Sequence, residues 1–371
     1  MTVPDNDTVA PRPPHVSVLI TTYNAAGFIA ETINSVLSQS FRDFELVVVD
    51  DGSTDETLAI LAGFADPRLH VLRTPRNLGV VGARNFGYRL LRGPYVATLD
   101  HDDLWRPTRL EQGVAILDAQ PATNLVGTQC AVLVDGQVLR LDRPTGVTPM
   151  LLRWLLLLDC PMIYSSLLFR REAAQLPQGG FMRPEALYAD DYELMLRLSL
   201  DGDCAVIDLP LTLYRVHGGN TTARVHPEMA QSAVRALAGI YPRWLGDEAA
   251  AAARLMNWHI AQRRPATTLR QLEAIAAVLV RLLDGFLATY QPDHGDRHLI
   301  VVSAKDAYWR VVRASIRSGR IWLVGCYLRQ PRLSIFRRFP VDLAVSLAAG
   351  LVKLAFRPDR MRRHAMAGRR E

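Results

Sequence analysis

Cysteine is scarce in this chain. Cys130, Cys160, Cys204 and Cys326 are its only four in 371 residues, and no two form a Cys-x-x-Cys pair. That argues against a zinc site or a disulfide framework and suits a reducing, cytoplasmic compartment. Long apolar runs are also missing. The best candidate, Phe339–Phe356, is broken by Pro340, Asp342 and Lys353 and is marginal against the roughly 20 residues of a spanning helix. Met1–Pro14 is polar and proline-rich with no apolar centre. Residues 1–14 therefore read as a disordered leader and not as a secretory signal.

Charge is unevenly placed. The formal net charge is +6, yet residues 301–371 hold 16 Lys/Arg against 4 Asp/Glu, a net +12 that leaves −6 for the rest. A basic tail on an acidic body points to an anionic surface. No basic stretch is interleaved with aromatics as in a single-strand-binding face. The expectation is therefore a membrane surface and no nucleic acid. Phe339–Phe356 beside Arg337, Arg338, Arg357, Arg360, Arg362 and Arg363 has the makings of an interfacial helix. An ordinary helix packed on a core is the competing expectation.

Apolar runs at Val16–Thr21, Phe44–Val49, Leu69–Arg73 and Tyr95–Leu99 predict strands. Helical spacing separates them, over Ala26–Gln39, after Ser53 and within Gly79–Leu91. Strands alternating with helices imply right-handed βαβ units and a mostly parallel sheet. Ser53 with Glu56 has the pattern of a capping box. Leu125–Val134 and Gln137–Leu141 flank Asp135-Gly136 as a hairpin. Asp190–Leu200 predicts a helix, Cys204–Leu209 a short strand and Leu211–His217 an extended segment. Beyond His226 strand signals fade into Ala-, Leu- and Arg-rich helical patterns. The expected division is 15–225 for an α/β domain and 226–371 for a helical region with a basic tail.

Two of the predicted strands end in carboxylates: Asp50-Asp51-Gly52-Ser53 and Asp100-His101-Asp102-Asp103. In open α/β sheets ligands gather outside the carboxyl ends of the strands. Acids there can bind sugar hydroxyls, base N–H groups or a hard cation. A strand-to-helix turn accounts for Gly52 and Ser53 but not for adjacent acids, which repel unless something binds them. Asp190-Asp191-Tyr192-Glu193 opens an apolar helix. Capping, with Glu193 completing a cap on Asp190, explains part of it; a general base at the mouth of a site explains the surplus acid. His217 precedes Gly218-Gly219, and neutral imidazole is a common metal ligand.

Taken together, residues 16–222 resemble family 2 glycosyltransferases of the GT-A fold. Seven elements occur in family order: Val16 to Asn24; Ser38-Gln39-Ser40-Phe41; Val49 to Asp55; Asn77-Leu78-Gly79 with Ala83-Arg84-Asn85; Leu99 to Asp103 with Pro107; Asp190 to Leu194; and Tyr214-Arg215-Val216-His217. The resemblance implies an inverting, nucleotide-sugar-dependent enzyme with a Rossmann-like sheet flanked by helices. It puts Thr21 and Tyr23 at the base, with Tyr23 stacking. It makes Asp51 the acceptor for uracil N3–H, puts Arg84 near the base or diphosphate, and sets Asp100 near the ribose with His101 beside it in the pocket.

Asp102 matches the metal-binding acid and His217 a histidine that helps hold the metal, with Mg²⁺ or Mn²⁺ as cofactor. Asp191 matches the catalytic base; Asp190 stands where Glu is usual, and His101 where a small residue is usual. Asp159 to Arg171, including Ser165-Ser166, falls where the family shapes its acceptor side. The implied reaction moves a sugar, from a UDP-sugar foremost, to a hydroxyl of a saccharide or lipid-linked saccharide in bacterial cell-surface glycan synthesis. The implied setting is cytoplasmic, peripheral on the inner face of the membrane.

Two other classes compete. A sugar-nucleotide-binding protein without turnover is disfavoured by the retained Asp102, Asp191 and His217. A nucleotidyltransferase would carry a Gly-rich basic loop after the first strand, whereas Thr22 to Gly27 holds no basic residue. A processive synthase would need membrane helices and Gln-x-x-Arg-Trp, and Tyr241-Pro242-Arg243-Trp244 lacks the glutamine.

Overall fold

The computed structural model describes residues 12–140, 145–220, 226–330, 332–333 and 340–355. Most of the expected leader, Leu141 and the tail arginines Arg337, Arg338, Arg357, Arg360, Arg362 and Arg363 lie outside the described residues. The chain divides into two compact units. One comprises the residues up to Arg153 with Pro161–Ser232, the other Trp154–Cys160 with Ala233 onward. The division thus falls at Ser232 rather than near 225, and a short inner segment belongs to the second unit.

The first unit is built on one mixed sheet. Its strands are β1 (Val16–Thr22), β2 (Phe44–Asp50), β3 (Leu69–Arg73), β4 (Tyr95–Asp100), β5 (Leu104–Trp105), β6 (Thr123–Val134), β7 (Gln137–Arg140), β8 (Leu168–Arg170) and β9 (Asp203–Val216). Their order is β3-β2-β1-β4-β8-β6-β9-β5, with β7 beside β6. The first four strands pair in parallel, and β8 joins β4 antiparallel. Every residue of β1 and β2 is buried, as expected of strands covered on both faces. Helix α1 (Ile29–Leu37) turns Ile29, Thr32, Ile33 and Val36 inward at helical spacing. This is the α/β arrangement expected of a GT-A catalytic region.

The strand register positions the site. Thr22 pairs with Asp50 and Thr21 with Asp100, so the carboxyl ends of β1, β2 and β4 lie level. The chain leaves β1 toward β2 on one side and returns to β4 on the other, a topological switch point of the kind that hosts ligands.

Three local expectations are corrected. Helix α2 (Thr57–Ala62) begins beyond the proposed capping box, with Glu56 at its N-cap and no side-chain cap bond. The Ser53 hydroxyl is instead taken by the Asn24 N–H at 2.9 Å. Cys204–Leu209 and Leu211–His217 are not two segments, because β9 runs unbroken through Pro210. The register against β6 slips beside that residue, between Thr128 and Cys130, and such a bulge accommodates a residue with no N–H to donate. Nor do acids cap the helix that opens at Asp190, as described below.

The second unit is mainly helical, as expected. Its longest helices, Leu269–Tyr290 and His294–Arg317, are capped by Thr268 and Asp293, whose side chains accept from the N–H groups of Gln271 and Asp296. Helix Pro340–Ala355 packs on His294–Arg317. Asp342, which breaks the apolar run in sequence, accepts from Trp309 Nε1 at 3.0 Å and pairs with Arg313 and Arg317. Gly350 permits the close approach, since a Cβ there would stand 2.3 Å from the Ile316 carbonyl oxygen. Val345 and Leu351 remain about half exposed on this helix. No helix among the described residues is long and apolar enough to cross a membrane.

Candidate active site

At the end of β1, Thr21 is buried while Tyr23 is 47% exposed. Asn24 adopts φ +51°. Its side chain accepts from the Thr54 N–H at 2.9 Å, which pins the loop after β1 to the loop after β2. The adjacent acids of β2 do not repel freely, because each is supplied with donors. Asp50 accepts from the N–H groups of Gly52 and Ser53 at 3.2 and 3.1 Å, with Arg73 at 3.5 Å. Asp51 accepts from the Thr74 hydroxyl and from the N–H groups of Leu78 and Gly79, each at 2.8 Å. It thereby anchors the start of helix α3 (Gly79–Tyr88) and keeps lone pairs for one further donor.

The loop after β4 is held from three sides. The Thr32 hydroxyl donates to the carbonyls of His101 and Asp103. Asp103, almost fully buried, accepts from the Ser165 hydroxyl at 2.5 Å and the Arg215 N–H at 2.9 Å. Burial, with Asp100 and Asp102 nearby, pushes its carboxyl well above the ordinary range. Ser165 also accepts from the Asp100 N–H at 3.1 Å. Ser165 and Ser166 have no exposed surface. Ser165 braces this loop, while the Ser166 hydroxyl donates to the Ile163 carbonyl within its own turn. His101 Nδ1 lies 3.3 Å from the Thr21 carbonyl.

Asp102 and His217 meet: Asp102 Oδ2 lies 2.9 Å from His217 Nε2. His217 Nδ1 accepts the Gly219 N–H at 3.1 Å, so Nε2 carries the hydrogen that points at Asp102. No third His, Cys, Asp or Glu gathers with them among the described residues. One carboxylate with open neighbours fits a Mg²⁺- or Mn²⁺-type ion that draws its other oxygens from a bound diphosphate. His217 fits as a ligand only once its proton moves to Nδ1. As it stands, it orients Asp102.

The densest charge lies deeper. Arg84 on α3 donates to Asp190 Oδ2 at 2.5 Å and to Asp100 Oδ1 at 2.9 Å. Its guanidinium sits 3.4 Å from the centre of the Tyr164 ring and is 6% exposed. Burial opposes its charge, but Asp190, then Tyr164, Asp100 and Asp191, hold its pKa above the ordinary value. Helix α7 (Asp190–Asp201) has Ala189 at its N-cap with no side-chain cap bond. Asp190 goes to Arg84, and Glu193 to Arg183 and Arg197. The capping explanation of these acids therefore fails.

Just before this helix Tyr188 is held at φ +70°, a costly conformation for a bulky residue of the kind that collects at functional sites. Asp191 retains some exposure and accepts its own following N–H, from Tyr192, at 2.7 Å. Burial first, then the Asp190 charge, raises its pKa to about 7, against the opposing pull of Arg84. A partly exposed carboxyl that exchanges a proton near neutrality can act as a general base.

The structure thus joins Arg84 to Asp100, Asp102 to His217 and His101 to Thr21. Asp51 is tied to α3, and Tyr23 stands open. Sequence reasoning missed Tyr164, Asp190 as an ion-pair partner, and Ser165 as the brace of Asp100 and Asp103. No local pattern marks these, since their partners lie 62 to 106 residues away.

Residues 17–175 match the family model for Glycosyl transferase family 2. The succinoglycan biosynthesis protein ExoO of Rhizobium meliloti is 34% identical over 225 residues, covering 56% of this chain and 62% of ExoO. The UDP-Glc:alpha-D-GlcNAc-diphosphoundecaprenol beta-1,3-glucosyltransferase WfaP of Escherichia coli is 33% identical over 105 residues, covering 28% of this chain and 42% of WfaP. The chain thus spans less than two thirds of either relative. Among solved structures, S. aureus TarS 1-349 in complex with UDP-GlcNAc aligns at TM-score 0.49 and 19% identity, over 86% of this chain and 89% of that one.

Proposed function

Because the chain belongs to glycosyltransferase family 2, we propose that its first unit moves a sugar from a nucleotide-diphosphate sugar, UDP-sugar foremost, to an acceptor hydroxyl with inversion at the anomeric carbon. The observation that carries this is Asp191: a partly exposed carboxyl at the start of α7, set among Asp190, Arg84 and Asp100, with a pKa near 7. Asp191 takes the acceptor's hydroxyl proton. That oxygen attacks the sugar C1 from the face opposite the nucleotide, the C1–phosphate bond breaks, and the nucleoside diphosphate leaves with the bonding electrons.

Tyr23 stacks on the base, Asp51 accepts its N3–H, and Thr21 and His101 line the pocket. Asp100 offers its second oxygen to the ribose. Asp102, with His217 orienting it or joining it, would hold a divalent cation whose charge offsets that of the leaving diphosphate. ExoO and WfaP support a role in bacterial polysaccharide assembly, and WfaP's name supports a lipid-diphosphate-linked acceptor. A cytoplasmic chain held peripherally at the inner membrane face suits such an acceptor. Supporting that are the +12 charge beyond residue 300 and the exposed Val345 and Leu351.

The test is a donor panel read by nucleoside diphosphate release in the presence of acceptor, with the product's anomeric configuration assigned by NMR. An α-linked UDP-sugar should give a β-linked product. Retention of configuration would overturn the inverting mechanism, and exclusive use of a non-uridine donor would overturn the UDP assignment.

A further inference from the structure

Arg84 is more than a salt-bridge partner. It reaches from α3 to the end of β4 through Asp100 and to the start of α7 through Asp190. One side of the site orients the donor and the other holds the base, and this side chain spans them. Its Nε has no hydrogen-bond partner among the described residues, and the guanidinium is held by the two carboxylates and by the Tyr164 ring beneath it. A cation this buried is costly in desolvation, and a packed apolar group would often serve stability as well.

We propose that Arg84 is a positioning residue that sets both the place and the proton affinity of the base Asp191, with Asp190 as its counterweight. This rests on the reading of Asp191 as the base. The groups facing Asp191 are Asp190 beside it on α7, Arg84 from α3, Asp100 from the end of β4, Tyr164 from the segment before β8, and the Tyr192 N–H. Two carboxylates favour its protonated form; one guanidinium and one N–H favour the carboxylate. With the cation removed, three acids share a buried site. With the Asp190 charge removed, the cation acts on Asp191 less opposed. The two perturbations must therefore act in opposite directions, a pattern that loss of packing does not produce.

The experiment is the pH dependence of kcat/KM, which reports ionisations of the free enzyme, together with ¹³C NMR titration of the aspartate carboxyls in the same variants. Arg84→Gln should move the acid limb up by about one pH unit or more, a roughly tenfold loss at a pH well below the limb. Asp190→Asn, which keeps an acceptor for Arg84, should move it down. Arg84→Lys keeps the charge and should move it less than Arg84→Gln does. Should Arg84→Gln fail to fold, the direction in Asp190→Asn decides, by NMR if turnover is too slow. Unmoved limbs, or both moving the same way, would overturn the proposal. Asp191→Asn separates the two readings. If it keeps turnover, the base assignment fails; if it is inactive while the other limbs do not move, only the Arg84 inference fails.

Discussion

Asp191→Asn should give a protein that is inactive and more stable. The substitution keeps the size of the side chain and an acceptor for the Tyr192 N–H, but it removes the basicity and the buried charge. Loss of a positioned general base costs roughly a hundredfold or more in kcat. The stability change follows from linkage. The Asp191 pKa rises from 3.8 to about 7 on folding, because burial and Asp190 outweigh Arg84. Between those values the folded form keeps a proton that the unfolded chain has released. Wild-type stability therefore falls as pH rises from about 4 to about 7, and the full penalty persists above that.

At about 1.4 kcal/mol per pH unit, the ceiling on that penalty is about 4 kcal/mol. Relaxation of the site and the partial exposure of Asp191 bring the expected gain to about 1–2 kcal/mol at pH 8. For a unit of this size that is a rise in Tm of several degrees. Near pH 4 the gain should vanish. The assay is paired: nucleoside diphosphate release for kcat, and thermal unfolding at pH 4, 6 and 8. A variant less stable than wild type at pH 8 would refute the electrostatic reasoning, whatever its activity. A stable variant with normal kcat would refute the role as base.

Asp102→Ala should abolish transfer without unfolding the protein, since among the described residues this side chain bonds only His217; chelator should inhibit wild type and Mg²⁺ or Mn²⁺ restore it, and full activity in excess chelator would reject the metal. Uridine diphosphate should raise Tm more than cytidine diphosphate, because cytosine lacks the N3–H that Asp51 would accept; equal protection would count against that contact. Asp51→Asn should also cost about 1–3 kcal/mol by denaturant titration, since an amide cannot accept from Thr74, Leu78 and Gly79 together. Removing residues 336–371 should abolish salt-sensitive co-sedimentation with anionic vesicles, at roughly 1 kcal/mol per basic residue near the surface. If binding is absent even at low salt, the helix Pro340–Ala355 serves only to pack against Trp309, Arg313 and Arg317.

Much of the first unit is legible in the sequence because its strands are fully buried. Runs such as Leu46–Val49 admit no solvent face, so they announce both strand and layer. The two-residue pairing of β5 with β9 carries no such signal, and Pro210 reads as a break although the strand passes through it. The bulge that absorbs it depends on a neighbouring strand whose register only the folded sheet determines. Arg84 was legible as a site residue from its motif. Its burial was not, because what surrounds it comes from Asp100, Tyr164 and Asp190.

Sequence can count the carboxylates at the strand ends, but it cannot count the donors that reach them, and the donors decide which acids remain for chemistry. Asp50 is occupied by the turn that follows it. Asp103 is consumed by Ser165 and Arg215. Asp190, which looks like a cap, is committed to Arg84. Three donors already fill most of Asp51. What remains with open lone pairs is one oxygen each of Asp100 and Asp191, and the Asp102 carboxylate against a single imidazole. These three lie at the end of β4, in the loop that follows it and at the start of α7. An acid with no remaining donor of its own must find a proton, a hydroxyl or a cation there, and a transfer reaction on a sugar diphosphate brings all three.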